Sequence, residues 1–171
     1  AFPKGRPQRP ETAFLRALFT LDLAGVRGRC LPLVSSTATR PGRPHAGRGF
    51  SFTHGGTKRV SNSKWFDGCA NSRTENQMKA SLAVVPAHNL NVYSCNPGGL
   101  LGYAYYPESF DESDTRHGVV VLHSSFPGGS AVPYDEGDTA THEVGHYLGL
   151  AHTFEGGCSD PGDMEADTAP G

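Results

Sequence analysis

Eleven residues near the end of the chain constrain its fold more than anything else in it: His142-Glu143-Val144-Gly145-His146-Tyr147-Leu148-Gly149-Leu150-Ala151-His152. Histidines at i and i+4 share a face only on a helix, so the spacing predicts one from about Gly137 or Asp138 to Gly149. A straight helix would carry His152 away from the other two imidazoles. Gly149 removes that difficulty, because glycine readily takes the left-handed conformation that ends a helix and turns the chain back. Three imidazoles then converge from a helix and its exit turn. A catalytic zinc ion needs three protein ligands and an open fourth position, which makes His142, His146 and His152 the candidate ligands. Glu143 follows the first of them by one residue. There its carboxylate can reach a water on the ion without ligating it, as a general base must. The bland alternative is an amphipathic helix that happens to carry histidines. The helix pattern and the glycine turn, taken together, favour the metal.

Upstream of this run the pattern is that of a small α+β domain. Residues 11–23 carry Phe14, Leu18 and Leu21 at helical spacing and predict a short helix. The run Gly49–Gly56 predicts a short strand ending in a turn. Thr74–Val85 predicts a helix with Thr74 as N-cap. Asn89–Ser94 alternates like a half-buried strand, Leu100–Tyr106 follows a Pro-Gly-Gly turn, and Gly118–Leu122 is wholly apolar, as a buried strand is. A length of 171 residues suits one core.

Charge divides the chain. Residues 1–49 hold nine Lys/Arg against Glu11 and Asp22, whereas residues 50–171 hold six against fifteen acids. The boundaries this suggests are a Pro/Arg-rich basic arm over 1–48, poorly ordered or unrelated to the core, and a catalytic core over 49–171. The arm lacks aromatic interleaving and any nucleic-acid motif, so a solvated tail is expected, with no nucleic-acid partner. No stretch is apolar enough, for long enough, to span a bilayer.

Beyond the eleven residues, the stretches LNVYSCNPGGLLGYAYYP, GVVVLHSSFPGG and HTFEGGCSDPGDMEADTAP resemble the pappalysin family of metzincin metallopeptidases, including its secreted microbial and fungal members. The resemblance runs from about Gly49 to Pro170. It implies a metzincin-like zincin core, with a small twisted mixed sheet over the active-site helix. It implies Zn2+ on His142, His146 and His152, with Glu143 activating water to hydrolyse peptide bonds in protein or peptide substrates. Leu100, Leu101, Gly102, Tyr103 and Ala104 match the family's edge strand, where an extended peptide adds to the sheet; ordinary sheet core is the alternative. Asp163, Asp167 and Thr168 match a loop that sometimes holds Ca2+, with a solvated acidic loop as the equal alternative. Secretion is implied in the same way.

The family's Met-turn lies well downstream of the third histidine, and Cys158 resembles a family cysteine that pairs with a later partner. Its first strand and long first helix precede the position of Gly49. The resemblance therefore implies a chain truncated at both ends, with an incomplete C-terminal subdomain and an inactive zinc-binding fragment as the rival to an active enzyme. Cys30, in an Arg-Cys-Leu-Pro setting, resembles a thiolate that caps zinc in some pro-regions, but a lone cysteine in an arm is the commoner case. Cys69 and Cys95 are candidates for a bridge, with a free Cys95 as the alternative. His45, His54, His88, His117 and His123 share no ligand spacing and read as surface or packed histidines.

Overall fold

A computed structural model describes residues 13–22, 51–155, 157 and 162–163, and the statements below concern these. Five strands form one mixed sheet: β1 (Ala13–Asp22), β2 (Ser51–Ser61), β3 (Asn89–Cys95), β4 (Gly102–Ala104) and β5 (Val119–Leu122). Their order across the sheet is β2-β1-β3-β5-β4, with β3 and β5 parallel and every other pair antiparallel. Helices α1 (Ser63–Gly68) and α2 (Ser72–Leu82) belong to one face, and α3 (Asp138–Tyr147) to the other.

Side-chain alternation along the strands accounts for these layers. Tyr93 and Cys95 of β3 and Val120 of β5 meet Phe66, Cys69, Met78 and Leu82 from α1, its cap and α2, with Tyr103 of β4 packed against them. Leu90 and Val92 of β3 and Val119 and Val121 of β5 face the other way, onto Val144 of α3. A strand with both faces buried reads as an apolar run, and Val119–Val121 are fully buried.

Asparagines start both first-face helices. The Asn62 side chain accepts from the Trp65 N–H, and that of Asn71 accepts from the Arg73 and Thr74 N–H groups. The N-cap of α2 is thus Asn71 and not Thr74, whose own side chain is buried within the first turn.

Two other expectations are corrected. The helix expected over residues 11–23 is replaced, in the part described, by a strand: Ala13–Asp22 is laddered to β2 on one side and β3 on the other, so its backbone groups find partners in both directions. The Gly55-Gly56 pair does not end β2. The register with β1 slips between Leu18 and Phe19, opposite Gly56 and His54, so the glycines make a bulge within a strand of 11 residues. Cys30 and Cys158 lie outside the described residues.

Cys69 and Cys95 are joined by a disulfide, tying the end of α1 to the end of β3 across 26 residues of sequence. Both are fully buried. Closing a loop of this length restricts the unfolded chain, and replacing both cysteines by alanine is expected to cost about 3 kcal/mol. A lower denaturant midpoint, with a slope no smaller than the parent's because the freed unfolded chain exposes more surface, would bear this out, whereas an unmoved midpoint would show the bridge to be energetically idle.

Candidate metal centre and cleft

Helix α3 is positioned by an apolar stripe. Ala140, Val144, Tyr147 and Leu148 fall at helical spacing and pack beneath Leu90, Val92, Val119 and Val121. His142 and His146 occupy the remaining face, which is turned toward a cleft. At the C-terminal end the Gly149 N–H donates to the His146 carbonyl at 2.9 Å and the Leu150 N–H to the Gly145 carbonyl at 3.0 Å, while Gly149 sits at φ 97°. This paired bonding around a left-handed glycine is the Schellman closure, and it sends the chain back along the helix.

The return brings His152 to the other two imidazoles. The Nε2 atoms of His142 and His146 are 2.9 Å apart, those of His146 and His152 3.1 Å, and those of His142 and His152 3.2 Å. The turn has a second effect. It presents the Leu150 carbonyl to His146 Nδ1 at 2.7 Å, which keeps the proton on Nδ1 and leaves the Nε2 lone pair facing the cluster. The His152 ring stacks on Phe154 with centroids 4.8 Å apart and planes 7° from parallel, and its Nδ1 lies 3.7 Å from Glu155 Oε2. Burial, with His146 and His152 next to it, holds the His142 imidazole below its ordinary pKa.

Three nitrogen donors so close together, at least one with its lone pair fixed inward, repel unless a cation lies among them. For Zn–N bonds of about 2.0–2.1 Å at tetrahedral angles the nitrogens stand about 3.3–3.4 Å apart, close to the observed triangle. The three histidines also form the cluster of metal-ligating residues found among the described residues. The donor set therefore fits a zinc ion with one position left open.

Glu143 is 6% exposed and lies under β4, against the bare Cα of Gly102. Burial pushes its carboxyl up to about 7. A raised carboxyl pKa penalises the folded, metal-free chain once the group ionises. The penalty is absent below about pH 4.5, grows as pH rises, and is complete above about 7. Metal-free Glu143→Gln should therefore match the metal-free parent near pH 4 and exceed its stability at pH 8. The margin is on the order of 1–2 kcal/mol, because the open cleft screens part of the cost. Urea titrations at the two pH values check this, and a margin that does not grow with pH would exclude it.

The cleft itself runs along β4. Gly99 to Ala104 and Tyr106 line one wall, Pro133, Tyr134, Asp138 and Thr139 the other, with Glu143 and the three histidines between them. Of the five residues expected as an edge strand, Gly102, Tyr103 and Ala104 form β4 at the end of the sheet, paired only with β5 among the described residues. Leu100 and Leu101 lie between the turn at Gly98-Gly99 and β4, and the Leu101 carbonyl still accepts from the Leu122 N–H at 2.7 Å. Asp163 is buried, while Asp167 and Thr168 lie outside the described residues. His117 meets Phe110 and Tyr147 edge-on, and His123 lies tilted against Phe66, so neither joins the cluster.

No pattern in the sequence marks Pro133 and Tyr134, which reach the cleft through a loop, or the carbonyl that orients His146. Tyr106 does carry such a mark. It is the last residue of the strand expected over Leu100–Tyr106, and its ring meets that of His146 edge-on at 5.7 Å.

Comparison with known proteins agrees with this geometry. The family model described as Peptidase M43, pregnancy-associated plasma protein-A, matches residues 73–170. Extracellular metalloprotease 1 of Coccidioides posadasii is 47% identical over 130 residues, covering 74% of this chain and 46% of that protein. An extracellular metalloprotease of Podospora anserina is 44% identical over 124 residues, covering 70% and 42%. The chain thus spans somewhat under half the length of these relatives. Among solved structures, mature mirolysin of Tannerella forsythia in complex with a cleaved peptide superposes with a TM-score of 0.51 at 38% identity, over 58% of this chain and 40% of that one.

Proposed function

The chain belongs to the pappalysin (M43) family of metallopeptidases, with an α+β, metzincin-like fold, and on that premise we propose that it is a zinc-dependent endopeptidase acting on protein or peptide substrates. The observation that carries the proposal is the convergence of three Nε2 atoms within 3.2 Å of one another beside a buried carboxylate. His142, His146 and His152 would hold the ion. Zinc bound there supplies a Lewis acid, which makes water more acidic and stabilises negative charge on a carbonyl oxygen.

The chain's own groups do the rest. Glu143 takes a proton from the attacking water and hands it to the departing amine nitrogen, a double role suited to a carboxyl held near pH 7. No covalent intermediate with the protein is needed. The outer edge of β4 offers main-chain N–H and C=O groups to which an extended peptide can add as an antiparallel strand. Mirolysin, a similar structure, is solved in complex with a cleaved peptide, which supports a peptide as the occupant of this cleft. Leu100 and Leu101 then flank the bound peptide. From the resemblance alone come two further elements: secretion, which relatives named extracellular support, and Ca2+ held by Asp163, Asp167 and Thr168, with a solvated loop as its alternative.

Cleavage of an unfolded protein by the zinc-loaded chain tests the proposal. Chelation is expected to abolish cutting, and added zinc to restore it. A chain that binds one zinc and cuts nothing would instead be a catalytically silent zinc-binding protein. A chain that binds no zinc would overturn both readings.

A further inference from the structure

Behind the cleft, on the face of the sheet opposite α3, lies a charge that the chemistry above does not use. Lys79 of α2 is fully buried, with its ammonium 2.8 Å from Glu75 Oε1. It donates to the Arg116 carbonyl at 2.6 Å and sits 5.7, 5.5 and 5.1 Å from the ring centroids of Tyr93, Tyr103 and Tyr105. Burial lowers its pKa, and Glu75 opposes that.

Taking two charges out of water is costly, and a well-packed apolar pair would join α2 to the sheet at least as firmly. What an apolar pair lacks is direction. Here the partners are all set by hydrogen bonds and rings, and they gather α2, β3, β4 and the segment entering β5 around one cation.

Strand β4 needs such a fixture. It is three residues long and, among the described residues, lies at the sheet edge with its ladder on one side only. Its residues alternate: Ala104 packs toward α3, and Gly102 sits over Glu143, while Tyr103 packs with the α1/α2 core. The Tyr103 hydroxyl donates to the Cys69 carbonyl at 2.5 Å, and the Tyr105 hydroxyl donates to Glu75 Oε2 at 2.9 Å. Both tyrosine rings stand over the ammonium.

We propose that the buried Lys79–Glu75 pair is a positioning device for the substrate-binding strand, holding β4 through Tyr103 and Tyr105 at the place where an extended peptide adds and where Gly102 covers Glu143. The role in peptide binding rests on the function proposed above; the clamp on β4 does not.

Removing Lys79 alone would strand a buried carboxylate, so the test uses the double variant Lys79→Met/Glu75→Gln, and beside it Tyr105→Phe, which cuts one tether. Hydrogen exchange is followed along the whole zinc-loaded chain. In both variants the amides of residues 101–104 are expected to exchange about tenfold faster, with those of α3 unchanged and one zinc retained per chain. On an extended peptide KM should rise about tenfold with kcat within about twofold, because a peptide once bound pairs with β4 and returns it to its place over Glu143. Unchanged protection of β4, or a loss that runs in step with α3 and β3, would overturn the clamp. If the parent chain cuts no peptide, the endopeptidase proposal fails, and the exchange data still decide the clamp.

Discussion

Glu143→Gln is expected to lower turnover of a peptide substrate by about 10²- to 10⁴-fold, the range over which a positioned acid–base group acts, while one zinc per chain is retained. Glutamine preserves the shape that fits beneath Gly102 but cannot accept a proton from water or pass one on. The three nitrogens that define the metal position belong to other residues, so zinc content, measured by competition with a chromogenic chelator, should stay at the parent's value. His146→Ala differs: it removes one ligand together with its bond to the Leu150 carbonyl, and both zinc and activity should go. The pH profile separates the roles further. In the parent, activity should fall as pH drops and the carboxyl, held up to about 7 by burial, takes a proton; the bound ion's charge shifts that limb to lower pH. In Glu143→Gln that limb should vanish from the residual rate. Turnover within tenfold of the parent, with zinc bound, would remove Glu143 from the mechanism.

Much of the site was legible because the spacing of His142, His146, Gly149 and His152 leaves the backbone little choice. A helix and a left-handed turn are the local solution, and both occur where expected. Strand β5 was legible because burial on both faces leaves an apolar run, and β3 because its residues alternate, although the fold buries both of its faces and not one. Reading failed where tertiary partners decide. Phe14, Leu18 and Leu21 suit a helix by spacing, yet two neighbouring ladders claim that segment as a strand. The two glycines of β2 signal a turn in isolation and become a bulge once β1 lies opposite. Glu75 and Lys79, four apart on a helix, carry no mark of burial in the sequence; only the fold shows three tyrosines around the ammonium. Asn71 took the cap expected of Thr74 because a short amide just outside the helix reaches two free N–H groups at once.

Gly102→Ala, a change of one methyl group away from every metal ligand, is expected to cost about 10²-fold in kcat and about 1–3 kcal/mol in stability. An added Cβ would lie 2.7 Å from Glu143 Cγ, 2.7 Å from the Val120 carbonyl oxygen and 3.0 Å from Glu143 Oε1. No side chain tolerates such contacts. Either the carboxylate swings out from under β4, or β4 lifts from β5, and both move Glu143 relative to the peptide it must serve. Zinc content should not change, since His142 and His146 are held by α3 and His152 by the turn at Gly149. General loosening of the sheet would also slow the enzyme, so the decisive comparison is a double-mutant cycle in kcat. If the methyl group acts by displacing the carboxylate, adding Gly102→Ala to Glu143→Gln should remove little further activity, because the group it disturbs has already lost its proton-transfer role. If instead the two losses multiply, Gly102 serves the strand and not the glutamate, and the close contact between them is packing alone.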